Sequence, residues 1–470
     1  MKRNLFVLTA ALWGIAAPAM AGGLMTNTNY HIAFDRMMAR GASLEIDAAY
    51  SNPAGLVWGH EGWQLSLNFQ KPWQNRDIEA SVPGFLGTNL SKKYEGVASA
   101  PIVPALFAAY KKDRWAVSSM IGIVGSGGFV KYDDGIPMLN VPIMAKLFAA
   151  NPALMADKTY TLDSKMEGKQ YIFGGQVNFA YQLTDCLSAA VGIRANYYDG
   201  FNRGHVVATS VAALGGTELI NLQLDCPQKG WGFAPIVSVA FHQGPLTVAA
   251  RYEFRTKINT ENSTETLKVN GTDVKALAEA KGTAATVAAL TPQLGAEMAG
   301  KLAAYMPDEH TRYDMPFLLS VAVGYEFTDK LRATAEYHFF DDKNAKMAGN
   351  RQDELAGGTN EFLLGVEYDI NDKFTVSCGG QRTDYGLSDN YQQNTSFACD
   401  SWSVGLGGAW NITEQIRLNA GYFCSIYSNH EKSFAAGTPG VGGYYSTGYA
   451  AKETYSRTNH VIGVGIDYKF

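Results

Sequence analysis

Asp314 to Phe339 reads DMPFLLSVAVGYEFTDKLRATAEYHF. Phe317, Leu319, Val321, Val323, Tyr325 and Phe327 alternate with Ser320, Ala322, Gly324 and Glu326. After the turn at Thr328-Asp329-Lys330, Leu331, Ala333, Ala335, Tyr337 and Phe339 alternate with Arg332, Thr334, Glu336 and His338. Successive side chains of a strand point to opposite faces, so this is a hairpin with one apolar face and one polar or small face. A water-soluble sandwich would carry the same pattern, so the alternation alone leaves the solvent open.

Outward from this hairpin the pattern recurs. It gives fourteen candidate strands, near residues 62–72, 96–111, 113–125, 167–183, 186–200, 229–242, 245–260, 314–328, 330–342, 359–371, 373–386, 397–412, 415–429 and 457–470. Six connections are tight: Lys111 to Asp113, Leu183 to Cys186, His242 to Pro245, Thr328 to Lys330, Asn371 to Lys373 and Asn411 to Gln415. The connections between them are long. Tight turns at one end, long loops at the other and an even strand count describe an outer-membrane barrel. In lipid every backbone N–H and C=O must be paired, and a closed sheet does this. The last strand agrees: Ile462, Val464, Ile466, Tyr468 and Phe470 share a face, and the sequence ends on that aromatic residue.

The N-terminal region reads differently. Lys2 and Arg3, an apolar run from Leu5 to Ala17 and the small-x-small Ala19-Met20-Ala21 form a secretory signal over 1–21. Residues 22–61 alternate poorly, are rich in Met, Ala and Gly, and contain Asn52-Pro53-Ala54. Fourteen strands close a barrel without them, and their apolar content argues against disorder, so they are expected to plug the barrel as a hatch. Asn52, Pro53 and Ala54 read either as a hinge of that hatch or as a plain turn into the first strand. The barrel itself would span 62–470, with long loops at 126–166 and 261–313.

Composition excludes several classes. The net charge of −5 and the lack of Lys/Arg runs argue against a nucleic-acid partner. Cys186, Cys226, Cys378, Cys399 and Cys424 are odd in number and widely spaced, with no C-x-x-C, so no metal site is expected. Cys378 and Cys424 read as small hydrophobes, and pairing of some cysteines stays open in an oxidising compartment. The eight histidines are scattered, no G-x-S-x-G occurs, and the only inward pair is His338 with Glu336, so no enzyme is expected.

Two long loops carry greasy stripes. Residues 136–157 hold Met138, Leu139, Met144, Leu147 and Phe148, with Pro142 and Pro152 expected to interrupt any helix. In 273–306, Leu290, Leu294 and Met298 repeat at helical spacing around Pro292. These stripes either pack on the barrel rim or offer an adaptable docking surface for an apolar ligand. At the end of the third strand, Gly125, Gly127 and Gly128 read as a kink or as a glycine-rich loop start.

Several stretches carry a resemblance. DAAYSNPAGL around Asn52-Pro53-Ala54, GWGFAPIVSVAF from Gly230, ARYEFRTKI from Ala250, the hairpin quoted above, NEFLLGVEYDINDKFTVSCG and the terminal strand stand in one order. Together they resemble the FadL/TodX-type outer-membrane transporters of long-chain fatty acids and other hydrophobic compounds. The resemblance implies an all-β fold: a 14-stranded antiparallel transmembrane β-barrel, plugged by a small N-terminal hatch, with helical extracellular loop segments. It also implies capture of an apolar ligand outside, passage to an interior pocket, and sideways exit through a gap made by a kinked strand. The loops depart from the family, since 126–166 is long and 201–228 lacks an obvious helix.

By parity Arg194, Arg251, Arg332 and Arg417 face the interior. A guanidinium suits a carboxylate head group, but these four could equally pair with Glu253, Glu336, Glu367 or the hatch acids Asp35, Glu45 and Asp47. The expected function is uptake of long-chain fatty acids or similar hydrophobic molecules by lateral diffusion through the wall, in the outer membrane of a Gram-negative bacterium. Expected partners are a fatty acid or aromatic hydrocarbon, outer-membrane lipid and the barrel-assembly machinery, with the chain a monomer and no cofactor. The alternatives are a general diffusion porin and an outer-membrane lipid-modifying enzyme.

Overall fold

The structure, a computed structural model, describes residues 22–294, 299–300, 302–307 and 309–470. The expected signal over 1–21 and the candidate ligand residue Met298 lie outside the described residues.

Fourteen antiparallel strands form a closed ring. They are β1 (Gly62–Val82), β2 (Val103–Lys112), β3 (Trp115–Tyr132), β4 (Tyr160–Gln182), β5 (Leu187–Ser210), β6 (Glu218–Gln243) and β7 (Leu246–Glu253). Then follow β8 (Leu318–Thr328), β9 (Leu331–Phe340), β10 (Thr359–Asp369), β11 (Phe374–Asp384), β12 (Ser401–Asn411), β13 (Ile416–Tyr427) and β14 (Ala451–Lys469). Each pairs with its neighbours in sequence, and β1 closes the ring on β14 in an unbroken register from Gln64–Lys469 to Ser81–Lys452. The terminal residue completes the seam: Trp63 N–H donates to the Phe470 carbonyl at 2.8 Å, and Phe470 N–H returns a bond of 2.9 Å.

The faces of the barrel are inverted relative to a protein that folds in water. On β1, Trp63, Leu65, Leu67 and Phe69 are 47, 40, 39 and 40% exposed, while Gln64, Ser66, Asn68 and Gln70 between them are at most 2% exposed. The same inversion holds on β8, where Val321, Val323 and Tyr325 point out and Ser320 and Ala322 point in. Aromatic residues flank this apolar band, with Trp63, Tyr110 and Trp115 at the tight-turn end and Trp73, Tyr197, Trp231 and Phe317 nearer the loops. A band of this kind is stable against hydrocarbon rather than water.

Several strands outrun their expected lengths. β1 continues from the expected end near residue 72 to Val82, and β5 and β6 absorb most of 201–228 as a tall hairpin in which Arg203 pairs with Asp225 in register. That stretch is therefore strand rather than irregular loop. Pro142 does not interrupt its helix, since α3 runs continuously over Pro137–Ala150. Pro137 starts it, where a missing N–H costs nothing, and the interior proline removes one ladder bond that packing compensates. The Ala-rich loop forms α4 (Val274–Lys281) and α5 (Thr283–Leu294).

The segment from Gly22 to Gly59 fills the lumen. It contains α1 (Ile32–Met37), α2 (Ala48–Ser51) and a 3-10 turn over Pro53–Trp58. All six α1 residues are buried, Asp35 and Arg36 included, so α1 has no solvent face. It can seat this deeply because the wall beneath it lacks side chains. Gly379 faces the Met37 carbonyl so closely that any Cβ would overlap it.

Candidate functional site

The hatch is fastened to the wall by inward polar side chains. His31 caps α1 and bonds Ser66 on β1 at 3.0 Å and Asp467 on β14 at 3.1 Å. Asn178 and Gln176 on β4 donate to the Ala49 carbonyl at 2.8 and 3.2 Å, and Ser188 on β5 donates to the Ala54 carbonyl at 2.7 Å. Glu336 on β9 accepts from the N–H groups of Arg40 and Gly41 at 2.9 and 2.7 Å. At the start of the hatch, Gly22 N–H donates to Glu361 on β10 at 3.2 Å.

The wall breaks at one place. β2 pairs with β3 from Lys112–Trp115 only as far as Leu106–Ile121, and pairing resumes where the short strand Gly96–Ser99 meets Phe129–Tyr132. Between these, residues 122–128 of β3 have no ladder partner on that side among the described residues. On the other side the β3–β4 register skips a residue between Ile123 and Gly125 and another between Ser126 and Gly128. An extra residue in one strand bends it and disrupts the ladder. Gly125, Gly127 and Gly128 thus stand in a double bulge within β3, not at the start of a loop.

Hatch residues satisfy the carbonyls at this break. Asn27 N–H donates to the Val124 carbonyl at 3.0 Å and Asn27 Nδ2 to the Ile123 carbonyl at 3.0 Å, while the Tyr30 hydroxyl is shared between the Asn27 carbonyl and the Val124 carbonyl, the latter at 3.2 Å. The Met25 carbonyl lies where a Cβ on Gly125 would sit, 2.3 Å away, so the glycine permits this approach. Met25 and Tyr30 pack with Val124, Ile172 and Met120 in one apolar cluster behind the break.

The residues singled out from sequence fall into four groups. Asn52 is fully buried and its Nδ2 donates to the Ser43 carbonyl at 3.1 Å, so its amide folds the hatch on itself; Pro53 and Ala54 begin the adjoining 3-10 turn. The four interior arginines are all engaged with carboxylates. Arg194 and Arg251 both hold Glu253, Arg332 bonds Glu367 at 2.7 Å and Asp369 at 2.6 Å, and Arg417 bonds hatch Glu45 at 2.7 Å. Met138, Leu139, Met144, Leu147 and Leu290 are buried together in an apolar canopy over the extracellular half of the lumen. Leu294 packs against that canopy, and Phe148 is half-buried beside it. A small pocket of about 40 Å³ lies at its edge, lined by Leu139, Met166, Val206, Leu222 and Leu302. All five cysteines are free, with Cys226 and Cys399 buried.

Sequence reading missed Arg36 and Arg40 of the hatch, Asn27 and Tyr30 at the break, and Arg76 and Arg457. Arg36 forms a buried ion pair with Glu367 and donates to Ser377 Oγ at 2.8 Å; Arg40 grips Asp47 at 2.7 Å and Glu45 at 2.8 Å. Arg-Met-Met-Ala-Arg in an otherwise apolar plug was the available signal. At the opposite end of the hatch lies a polar vestibule of about 520 Å³, lined by Arg40 and Glu45 of the hatch and by Arg332, Glu367, Asp369 and Arg417 of the wall. His338 lies between two carboxylates, with Nε2 on Glu336 at 2.6 Å and Nδ1 on Glu361 at 3.0 Å. Both ring nitrogens are occupied, so neither activates a nucleophile.

These features define a class: a fourteen-stranded barrel closed internally by its own N-terminal segment, with a sealed break in its wall. Among solved structures the chain is similar to a Pseudomonas aeruginosa FadL homologue, at 14% identity over 96% of this chain and 100% of that one, with a TM-score of 0.65. It is also similar to the P. putida toluene transporter TodX, at 11% identity over 90% of this chain and 94% of that one, with a TM-score of 0.53. No family model matches the chain, and no curated protein matches it significantly. What is shared at these identities is the fold, which is of the FadL type.

Proposed function

We propose that the protein is an outer-membrane channel of a Gram-negative bacterium for uptake of long-chain fatty acids or similar hydrophobic molecules. The ligand enters through the apolar canopy and leaves sideways through the wall at residues 122–128. The observation that carries this reading is the break in β3, whose carbonyls are met by Asn27 and Tyr30 of the hatch rather than by a neighbouring strand. A sealed gap beside lipid suits an apolar cargo. Sideways exit delivers its chain to hydrocarbon at about 0.8 kcal/mol per buried CH₂, which a watery pore would forfeit. The relatives in fold are described as a FadL homologue and a toluene transporter, which supports the same class of cargo.

A diffusion porin needs an open lumen, and here the lumen is filled from Gly22 to Gly59. A catalytic role would need a nucleophile beside a free base, and His338 is held on both sides. The test is transfer in proteoliposomes containing the mature chain. The reading expects labelled palmitate to pass without sugar-driven swelling. Rapid swelling in sugar with no palmitate transfer would establish a porin instead.

A further inference from the structure

Glu361 on β10 is fully buried. One of its carboxylate oxygens accepts from Gln381 Nε2, from Thr383 Oγ1 at 3.0 Å and from the Gly22 nitrogen at 3.2 Å. The other faces His338 Nδ1 at 3.0 Å. His338 is shared, because its Nε2 lies 2.6 Å from Glu336. Two buried carboxylates thus divide one imidazole between them.

Glu253, Glu367, Glu45 and Asp47 each hold an arginine. Among the described residues no arginine or lysine side chain bonds Glu361 or Glu336. Arg251, on the Glu336 side, is already bonded to Glu253. Even with the imidazole protonated, one carboxylate charge of the pair has no partner of its own. A buried charge left in that state is costly.

The missing cation arises at Gly22. The leader expected over 1–21 ends at Ala21, which makes Gly22 the first residue of the mature chain. Hydrolysis of that peptide bond puts water's hydroxyl on the Ala21 carbonyl carbon and a hydrogen on the Gly22 nitrogen. The new carboxyl then gives up its proton, and the amine becomes an ammonium. An α-amino group has an ordinary pKa near 8, so it is charged at neutral pH. Its bond to a carboxylate is charge-assisted, roughly twice as strong as one from a neutral amide.

The surroundings are fitted to a chain end. Gly22 is buried. A Cβ on Gly22 would stand 2.2 Å from the Thr26 carbonyl oxygen, and one on Gly23 would stand 2.9 Å from Phe340 Cγ. Two glycines directly after the cleavage point therefore let the terminus reach the wall. A chain still carrying its leader would have to bring residue 21 to this same buried point.

We propose that Glu361, backed by His338 and Glu336, is the receptor for the free α-ammonium of Gly22, so that leader removal supplies the charge that anchors the hatch. The segment anchored in this way carries Asn27 and Tyr30, which meet the break in β3. The anchor is independent of what the barrel transports.

The test is the reactivity of the α-amine. The mature protein in detergent is acylated at neutral pH, and the tryptic peptide Gly22 to Arg36 is followed by mass spectrometry. The folded protein should label at least tenfold more slowly than the denatured chain. E361Q should label about tenfold faster than the unaltered protein, the scale of one hydrogen bond between charged partners, while E361D should stay near the unaltered rate. A form with one extra glycine ahead of Gly22 leaves the wall untouched and guards against a folding defect; it too should label about tenfold faster. A mature chain that does not begin at Gly22, or a folded protein labelled at the denatured rate, would overturn the proposal. Full protection in folded E361Q or in the extra-glycine form would also overturn it, since burial alone would then account for the slow reaction.

Discussion

The side-chain amide of Asn27 donates to the carbonyl of Ile123 at 3.0 Å, joining the hatch to a strand whose ladder is missing at that point. A backbone acceptor left unpaired beside lipid is expensive, so a hatch that supplies the donor is held shut by the wall it seals. The two surfaces are interdependent: opening the gap means withdrawing Asn27 and Tyr30, and withdrawing them uncovers the gap.

Asn27→Ala should loosen the seal without unfolding the barrel. One net hydrogen bond of about 1 kcal/mol is lost, so amides of residues 22–30 should exchange hydrogen roughly fivefold faster. Unchanged exchange in that peptide would show that the side chain does not fasten the hatch.

Gly125→Ala should have a larger effect at the same place. The added Cβ would stand 2.3 Å from the Met25 carbonyl and 2.9 Å from Ile172 Cδ1, so the hatch must retreat from β3. Proteolysis within residues 22–30 should become readily detectable, whereas a resistant hatch would mean the bulge can adjust around a methyl group.

Arg36→Met should destabilise hatch docking by about 3 kcal/mol, the lower end of the cost of breaking a buried ion pair, because Glu367 retains Arg332. Adding Glu367→Gln should recover part of the loss. The measurement is the denaturant midpoint for exposure of the hatch, read by a probe attached at Ser51. No recovery in the double variant would place the cost elsewhere.

Asp342, in the loop after β9, gives a pH prediction. Burial raises its pKa from 3.8 to about 7, partly opposed by Thr359, which donates to it at 2.5 Å, and by the Leu24 backbone. A raised carboxyl pKa means the folded state disfavours the anion. The penalty is absent below about pH 4, grows as pH rises toward 7, and is complete above it, reaching ~4 kcal/mol in order of magnitude. Stability of this loop and of the adjoining hatch start should therefore decline over that interval, and Asp342→Asn should flatten the profile. A wild-type profile that rises over the same interval would contradict the burial of an uncompensated carboxyl.

Much of the barrel was legible because strand alternation and loop length are local properties. The hairpin at Asp314 to Phe339 shows its two faces in the sequence itself, and the parity of Arg332 followed from it. Arg76 was hidden for a definite reason. β1 read as ending near residue 72, because apolar alternation stops where the barrel leaves the lipid band, so Arg76 had no face assigned. The partners of Arg417 and Arg36 lie more than 300 residues away in the chain, beyond any periodicity. The glycines at 125, 127 and 128 suggested an irregularity, but only the register of β4 and the position of the hatch distinguish a break in a wall from the start of a loop.

The most direct test of sideways exit is to mend the wall. Deleting Val124 and Gly127, the two residues that the β3–β4 register skips, removes both bulges and lets β3 run straight. Uptake of labelled palmitate is then measured in cells whose only uptake route is this barrel, with heat-modifiable gel mobility confirming that the barrel has folded. The account predicts a folded barrel that no longer delivers palmitate. A folded, straightened barrel that still takes up palmitate at the wild-type rate would contradict it.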